Sequence, residues 1–254
     1  TSEDSLYITN NRFEEGDYGI YLTASGGALE KEVKINDNYF SNVRYRSIYT
    51  QYHDGIEITG NTIIVNQSDH EGIVVTSSAN TRRISGNDIR LLAGGQSGIY
   101  LLGVSGTSGT PTDISNNYVY IRNWGYASNG IYQAYCNYLH YDYNSVRLEN
   151  TGVGSISFRD DNSNQNIHLK NNNFANYSGG LSMYVNWTSP YTSNTTDYCN
   201  LFSTGPTLAR YGNEYSNLVA LQTGTGQNTH GMSAEPLFIS EAPLISQVAL
   251  NGTA

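Results

Sequence analysis

The tripeptide Asn117-Tyr118-Val119 places an asparagine two residues before an apolar residue, and this spacing recurs along most of the chain. The instances are Asn11/Phe13, Asn38/Phe40, Asn61/Ile63, Asn87/Ile89, Asn117/Val119, Asn144/Val146, Asn172/Phe174 and, more weakly, Asn200/Phe202. Successive asparagines lie 27, 23, 26, 30, 27, 28 and 28 residues apart. A period of this length indicates a stack of small structural units, so the sequence predicts a solenoid.

Each repeat contains three short segments that read as β-strands. An alternating strand runs up to the asparagine, a second strand carries the apolar residue after it, and a third follows a variable turn. The third strand resembles Gly-Ile-Tyr-Leu and occurs at residues 19–22, 47–50, 72–75, 98–101, 130–133, 155–158 and 180–183. Period-two alternation between turn residues is typical of strands. Three such strands in about 27 residues predict an all-β fold, a parallel β-helix of about seven to eight coils.

The repeated asparagines are predicted to be structural. A sharp corner between strands needs a residue in the left-handed region, which asparagine tolerates better than most residues. Amide side chains stacked at the same corner of successive coils can also hydrogen-bond to one another. We therefore expect a structural ladder formed by Asn11, Asn38, Asn61, Asn87, Asn117, Asn144 and Asn172.

The combined Ile-x-x-Asn-x-Phe and Gly-Ile-Tyr-Leu pattern resembles the right-handed parallel β-helix of the pectin-lyase-like superfamily, over roughly residues 6 to 203. Four later stretches resemble the closing coils of large secreted β-helix proteins of Bacteroidota-like bacteria, with departures at Gln222 and Glu235. These stretches are residues 197–202, 212–218, 226–231 and 235–238. This second resemblance implies a secreted or cell-surface protein and identifies no activity.

The spacing divides the chain into coils over residues 1–203 and closing coils or an irregular cap over residues 204–254. Asn213 follows Asn200 by only 13 residues, and Asp197 occupies an apolar position. At the other end, only five residues precede Leu6, so the first coil is expected to expose strand edges. We expect a segment of a larger chain, with further β-helix coils or a like subunit stacked on that end.

Composition excludes several kinds of partner. The net charge is −9 and only 14% of residues are charged, so a nucleic-acid surface is not expected. No run of 18 apolar residues predicts a membrane span. Cys136 and Cys199 lie two to three repeats apart and are expected to be separate buried thiols. No cofactor is predicted; Ca²⁺ bound by acidic oxygens stays open, although no calcium-binding motif occurs.

The third strand carries the candidate binding surface. Its outward positions are predicted to be Tyr21, Tyr49, Val74, Tyr100, Tyr132, Ser157 and Ser182, with Tyr184 two residues further on. Trp124 and Trp187 are expected in turns on either side of this column. Stacked tyrosines present flat apolar faces with hydroxyl edges, which suit sugar rings of a polysaccharide or surface glycan. The alternative interpretation is that tyrosine is simply a good strand residue.

Candidate catalytic residues are sparse. Arg159-Asp160-Asp161 resembles the paired aspartates of β-helix polygalacturonases, but the further His-Gly and Arg-x-Lys motifs of those enzymes are absent. The alternative is a polar turn with a local salt bridge. Asp69-His70-Glu71 and His53-Asp54 are interpreted as solvated turns. The sequence therefore favours a non-catalytic extracellular module, adhesin-like, structural or filament-forming, with a glycan-binding face. The alternatives are a polysaccharide lyase or glycoside hydrolase using that face, or a purely architectural stalk.

Overall fold

The chain forms a right-handed parallel β-helix of about seven turns, and three long β-sheets make up its sides. This computed structural model describes residues 5–27, 29–187 and 193–238. The predicted all-β solenoid is confirmed, and helix accounts for about 4% of the chain.

Each turn of the helix contributes one strand to each sheet. Sheet A contains β1 (Leu6–Thr9), β5 (Val33–Asn36), β9 (Glu57–Thr59), β12 (Arg83–Ser85), β15 (Thr112–Ser115), β18 (Asn137–Asp142), β21 (Gln165–Lys170) and β24 (Thr195–Asp197). Sheet B contains β2 (Arg12–Glu14), β6 (Tyr39–Ser41), β10 (Thr62–Val65), β13 (Asp88–Leu91), β16 (Tyr118–Trp124), β19 (Ser145–Thr151), β22 (Asn173–Asn176) and β25 (Asn200–Ser203).

Sheet C closes each turn and has nine strands. They are β3 (Tyr18–Thr23), β7 (Arg46–Gln51), β11 (His70–Thr76), β14 (Gly95–Leu102), β17 (Asn129–Ala134), β20 (Ile156–Asp161), β23 (Leu181–Val185), β26 (Ala209–Tyr211) and the antiparallel β27 (Asn213–Tyr215). A short extra pair joins β4 (Glu30–Lys31) to β8 (His53–Asp54). Within the described residues, β1, β2 and β3 each pair with a neighbour on one side only.

The interior is filled by apolar side chains stacked in register. The sheet A stack contains Ile35, Ile58, Ile84, Ile114, Tyr141 and Leu169, and the sheet B stack contains Phe40, Ile63, Ile89, Val119, Val146 and Phe174. All of these side chains are fully buried or nearly so. Burying one such side chain contributes about 1.5–3 kcal/mol, so the repeated apolar positions are the main stabilising feature of the fold.

The repeated asparagines turn inward at the corner between sheets A and B. Each side-chain Nδ2 donates to Oδ1 of the asparagine in the next coil, at 2.9–3.1 Å, from Asn11 through to Asn172. The same Oδ1 atoms accept the backbone N–H of the preceding asparagine. Asn38 to Asn172 are almost completely buried. We refer to Asn11, Asn38, Asn61, Asn87, Asn117, Asn144 and Asn172 as the asparagine ladder.

The left-handed residue of the corner was predicted at the wrong position. It is the residue directly before each ladder asparagine, with φ between +53° and +66°: Asn10, Asp37, Gly60, Gly86, Asn116, Tyr143 and Asn171. The chain bends there, which frees the next side chain to point into the core. Most of these residues are Asn, Asp or Gly, the types that adopt this conformation at low cost.

Cys199 takes the next corner position, after Tyr198 with φ of +53°. Its Sγ lies 3.7 Å from Asn172 Nδ2, and its backbone N–H donates to Asn228 Oδ1 at 2.9 Å. Asn200 instead stacks beside Asn173 in sheet B. Cys136 and Cys199 are free, buried thiols, and burial raises the pKa of each to about 12.

The end of the described chain packs against the last coils. β27 folds back on β26, and helix α1 (Leu218–Thr225) buries Leu221 against the last coil. Residues 232–238 then run back across sheet B, where Tyr177 Oη donates to the Pro236 carbonyl at 3.0 Å. Residues 239–254 of the predicted cap lie outside the described residues. No helix in the described part of the chain has the length and apolar character needed to span a bilayer.

Candidate functional site

The outer surface of sheet C carries a row of side chains, one from each coil. Strand pairing places Tyr21, Tyr49, Val74, Tyr100, Tyr132, Arg159, Tyr184 and Arg210 side by side. We call this set the tyrosine row. Arg159 and Tyr184 therefore occupy the positions that were predicted for Ser157 and Ser182, both of which are buried.

The outward positions predicted for this strand were wrong because the Gly-Ile-Tyr-Leu pattern aligns Ile156 with Ile131. The pairing instead places Phe158 beside Ile131, and Ser157 next to Gly130 in a buried line of small residues. A Cβ on Gly130 would come within 2.5 Å of the Ser157 carbonyl oxygen. Phe158 fills the core, where its ring stacks on Phe174 with centroids 5.3 Å apart. Core volume therefore sets the register in these coils.

The rings of the tyrosine row lie against one another. Tyr21 and Tyr49 stack with centroids 4.8 Å apart and planes 13° apart, and Tyr100 and Tyr132 stack at 5.0 Å and 22°. The Arg159 guanidinium lies 5.0 Å from the Tyr132 ring. Burial raises the pKa of both Tyr100 and Tyr132, so their hydroxyls remain protonated donors. The row therefore contains two stacked tyrosine pairs separated by the buried Val74, and the second pair is followed by Arg159.

A cleft of about 580 Å³ lies beside this row, near the start of the sheet C strands. It is lined by Arg46, Asp69, Glu71, Gln96, Ser97, Tyr100, Trp124, Tyr126, Ala127, Asn129 and Tyr132. A smaller hollow of about 220 Å³ shares four of these residues and adds Tyr18 and Tyr45. Four aromatic side chains and six polar or charged ones thus face the main hollow, which we call the cleft.

The charged groups of the cleft are held in place. Arg46 and Glu71 are register partners on neighbouring strands, and Arg46 Nε donates to Glu71 Oε2 at 2.6 Å. Glu71 is only 9% exposed. Asp69 has φ of +62° and accepts a hydrogen bond from Gln96 Nε2. The cleft therefore contains the Glu71 carboxylate, which is paired with Arg46, and the exposed Asp69 carboxylate, which is bound by the Gln96 amide.

Trp124 forms one wall of the cleft, with its ring 5.1 Å from the ring of Tyr126. It packs over Gly94, whose φ is +104° and where a Cβ would come within 2.5 Å of the indole. The predicted location of Trp124 in a turn beside the tyrosine row is close to the observed one, since it is the last residue of β16.

We expect Gly94→Ala to lower the free energy of unfolding by about 2 kcal/mol, because alanine is strained at this φ and would displace the indole. Urea unfolding followed by tryptophan fluorescence would measure both the stability and the changed environment of Trp124. Gly109→Ala is the matched control, because a Cβ there meets no atom within 4 Å. Equal stability of the two variants would contradict the packing described here.

Trp187 is not available to a ligand. Only 6% of it is exposed, and its Nε1 donates to Asp160 Oδ2 at 2.9 Å inside the β-helix. The same Asp160 carboxylate accepts hydrogen bonds from Gln133 and Asn164, both at 2.5 Å. Burial raises the pKa of Asp160 to about 6. Trp187 and Asp160 therefore belong to a buried polar cluster.

Asp160 and Asp161 cannot act on one ligand as a pair. Alternation along β20 points Asp160 into the core and Asp161 outward, where Arg159 Nε donates to its Oδ2 at 2.7 Å. The alternative interpretation was a polar turn with a local salt bridge: the Arg159–Asp161 salt bridge is present, but both residues lie in strand β20 and not in a turn. The proposed catalytic set Arg159, Asp160 and Asp161 is divided by the wall of the β-helix.

The interpretation of Asp69-His70-Glu71 and His53-Asp54 as solvated turns was wrong for three residues. His53, His70 and Glu71 are buried, and His70 begins a seven-residue strand that is buried throughout. Burial lowers the pKa of His70 to about 4, and its Nε2 lies 3.1 Å from Ser47 Oγ. The unbroken run of small and apolar residues after Glu71 was the signal that a buried strand starts here.

Among the described residues, no three His, Cys, Asp or Glu side chains come together as a metal-binding set.

A family model described as "Right handed beta helix region" matches residues 1–129 of the chain. Comparison with curated proteins and with solved structures returns no match.

Proposed function

Because the chain belongs to the right-handed β-helix family, we propose that it is a glycan-binding module whose ligand lies along the tyrosine row and enters the cleft. The observation that carries this proposal is the meeting of Tyr100 and Tyr132 with Trp124 and Tyr126 in one hollow. Aromatic faces pack against the apolar faces of sugar rings, while hydroxyl and amide groups at their edges bind the sugar hydroxyls.

Polar side chains around these rings support the proposal. Gln96 and Asn129 offer both donors and acceptors, and Asp69 offers an acceptor on the exposed rim of the cleft. Since neighbouring strands are spaced by about 4.8 Å, the row presents a regular series of contacts along the helix axis. A linear polymer suits such a surface better than a compact metabolite does.

The proposal extends to a non-catalytic role in an extracellular or cell-surface protein, adhesin-like or structural. A surface rich in Asn, Ser, Thr and Tyr supports it, as does the resemblance of the closing coils to secreted β-helix proteins. Strands β1, β2 and β3 each lack a neighbour on one side within the described residues. We predict that further coils or a like subunit pair with these edges. Sedimentation velocity over a range of concentrations would detect self-association through those edges.

We expect Tyr100→Ala and Trp124→Ala each to weaken glycan binding roughly tenfold, because each removes one stacking face worth about 1.5 kcal/mol. Affinity electrophoresis against soluble polysaccharides, followed by calorimetry with the best oligosaccharide, would measure this. Tyr7→Ala is the control, since Tyr7 is an exposed tyrosine that lies on sheet A, outside the tyrosine row and the cleft. A loss of binding in the Tyr7 variant as large as in the cleft variants would overturn the assignment of the surface.

Glycan cleavage is a second candidate function, supported by the two carboxylates of the cleft. Hydrolysis requires two carboxyl groups on either side of the scissile bond, and Asp69 and Glu71 line the same hollow. Glu71 is held by Arg46, which makes it a less available proton donor than a free carboxyl group. Incubation with the polysaccharide that binds best, followed by assays for reducing ends and unsaturated products, distinguishes the two functions. New chain ends that accumulate with turnover would replace the binding role by an enzymatic one.

A further inference from the structure

The cleft has an acidic character that limits which sugars it can accept. Two carboxylates, of Asp69 and Glu71, face one guanidinium, of Arg46, and this guanidinium is already bound to Glu71. Asp69 has no cationic partner among the ion pairs of the described residues, only the Gln96 amide. A ligand carboxylate or sulfate placed here would meet an uncompensated negative charge.

The rest of the tyrosine row does not offset this charge near the cleft. Arg159, the next cation along the row, is bound to Asp161. Arg210 lies over the Tyr184 ring, three strands beyond Tyr132 and therefore about 14 Å away. Charges at that separation are largely screened at physiological ionic strength. At low ionic strength the net charge of −9 also repels polyanions.

The polar groups of the cleft suit hydroxyls instead. The Asp69 carboxylate accepts hydrogen bonds, and the Gln96 and Asn129 amides and the Ser97 hydroxyl both accept and donate. The aromatic walls need no charge on the ligand.

We infer that the cleft takes a glycan without acidic groups and rejects glycans rich in uronic acid or sulfate. This inference rests on the proposed glycan-binding function and adds the chemical class of the ligand. It assigns to Asp69 the role of a specificity-determining residue, which excludes acidic sugars while accepting a hydroxyl from neutral ones.

The test compares two classes of soluble polymer at low and at physiological salt, neutral glucans, mannans, xylans and galactans on the one hand and polygalacturonate on the other. We expect binding to at least one neutral polymer and at least tenfold weaker binding to polygalacturonate. Polygalacturonate bound as tightly as the best neutral polymer would overturn the inference but leave glycan binding intact. Failure to bind any of the polymers would overturn both.

Asp69→Asn provides the sharper measurement. Asparagine tolerates the left-handed conformation of this residue, so the fold is expected to be unchanged. The variant should raise the affinity for galacturonate oligomers relative to that for neutral oligomers several-fold at low salt, because asparagine removes the charge and keeps one acceptor oxygen. Asp113→Asn, on sheet A, is the matched control with the same change in net charge. Equal gains in the two variants would show a general charge effect and contradict the role of Asp69.

Discussion

Asn117→Ala is expected to lower the free energy of unfolding by about 3 to 5 kcal/mol, although the substitution removes no apolar contact surface of note. Asn117 Oδ1 accepts from the backbone and side chain of Asn87, at 3.1 and 2.9 Å, and its Nδ2 donates to the Ile84 carbonyl at 2.8 Å. All of these groups are buried, so alanine leaves a backbone N–H and a carbonyl without partners. Urea unfolding monitored by circular dichroism measures the loss.

Asn11→Ala is the matched control for this prediction. Asn11 makes the same Nδ2 contact with the next ladder member, but its side chain is exposed and nothing in the described chain donates to its Oδ1. Water can replace the lost hydrogen bonds there, so we expect a change of about 1 kcal/mol or less. If the two variants lost similar stability, the burial of the asparagine ladder would not be the source of its contribution.

Asp160→Ala is the second substitution with a large expected effect. It should lower the free energy of unfolding by about 3 kcal/mol or more. It leaves the Gln133 amide, the Asn164 amide and the Trp187 indole N–H without their shared acceptor inside the core. Differential scanning calorimetry would detect the destabilisation, and the emission of Trp187 should report it locally. Asp161→Ala, which removes the partner of the partly exposed Arg159 guanidinium on the outer face of β20, is expected to cost less, about 1 to 2 kcal/mol.

The same carboxyl group makes the stability depend on pH. Burial raises the pKa of Asp160 from 3.8 to about 6, so the folded state binds this proton more tightly than the unfolded state does. The contribution of protonated Asp160 to the free energy of unfolding is complete below pH 4. It is lost as the pH rises through 6, which lowers the stability by up to about 3 kcal/mol. Relative to the parent protein, Asp160→Asn should therefore gain stability between pH 4 and pH 7. Parallel stability profiles of the two proteins would contradict this assignment.

These effects bear on how catalysis should be tested. Loss of activity in an Asp160 variant would reflect a damaged core, because the carboxylate does not reach the surface. Asp69 and Glu71, which line the cleft, are the carboxylates whose substitution would be informative about chemistry.

The features that repeat in every coil could be read from the sequence. The period, the ladder asparagines and the apolar stacks depend on contacts between equivalent positions of neighbouring coils, so each residue type recurs at its place. The left-handed residue was misplaced by one position, because asparagine suits both the corner and the buried ladder. Asn116 and Asn117 are adjacent and differ only in which of the two carries the positive φ.

Features that occur once could not be read in the same way. The register beyond β17 depends on the volume of Phe158 in the core, which the Gly-Ile-Tyr-Leu pattern does not contain. The cleft combines side chains from four coils, among them Arg46, Glu71, Tyr100 and Trp124, and no local pattern connects them. Sequence patterns treat the core as apolar, so Trp187 and Asp160 were predicted on the surface. In the structure, the two side chains satisfy each other's polar atoms by a hydrogen bond inside the core.

The asparagine ladder also has a consequence for how this architecture evolves. Every ladder hydrogen bond joins a coil only to its immediate neighbours, and all of them run in the same direction along the axis. A gene segment that encodes one whole coil, such as residues 61 to 86, can therefore be duplicated or deleted and still meet matching groups on both sides. Selection can lengthen or shorten the row of outward side chains on sheet C one coil at a time, without redesigning the corner that joins the coils.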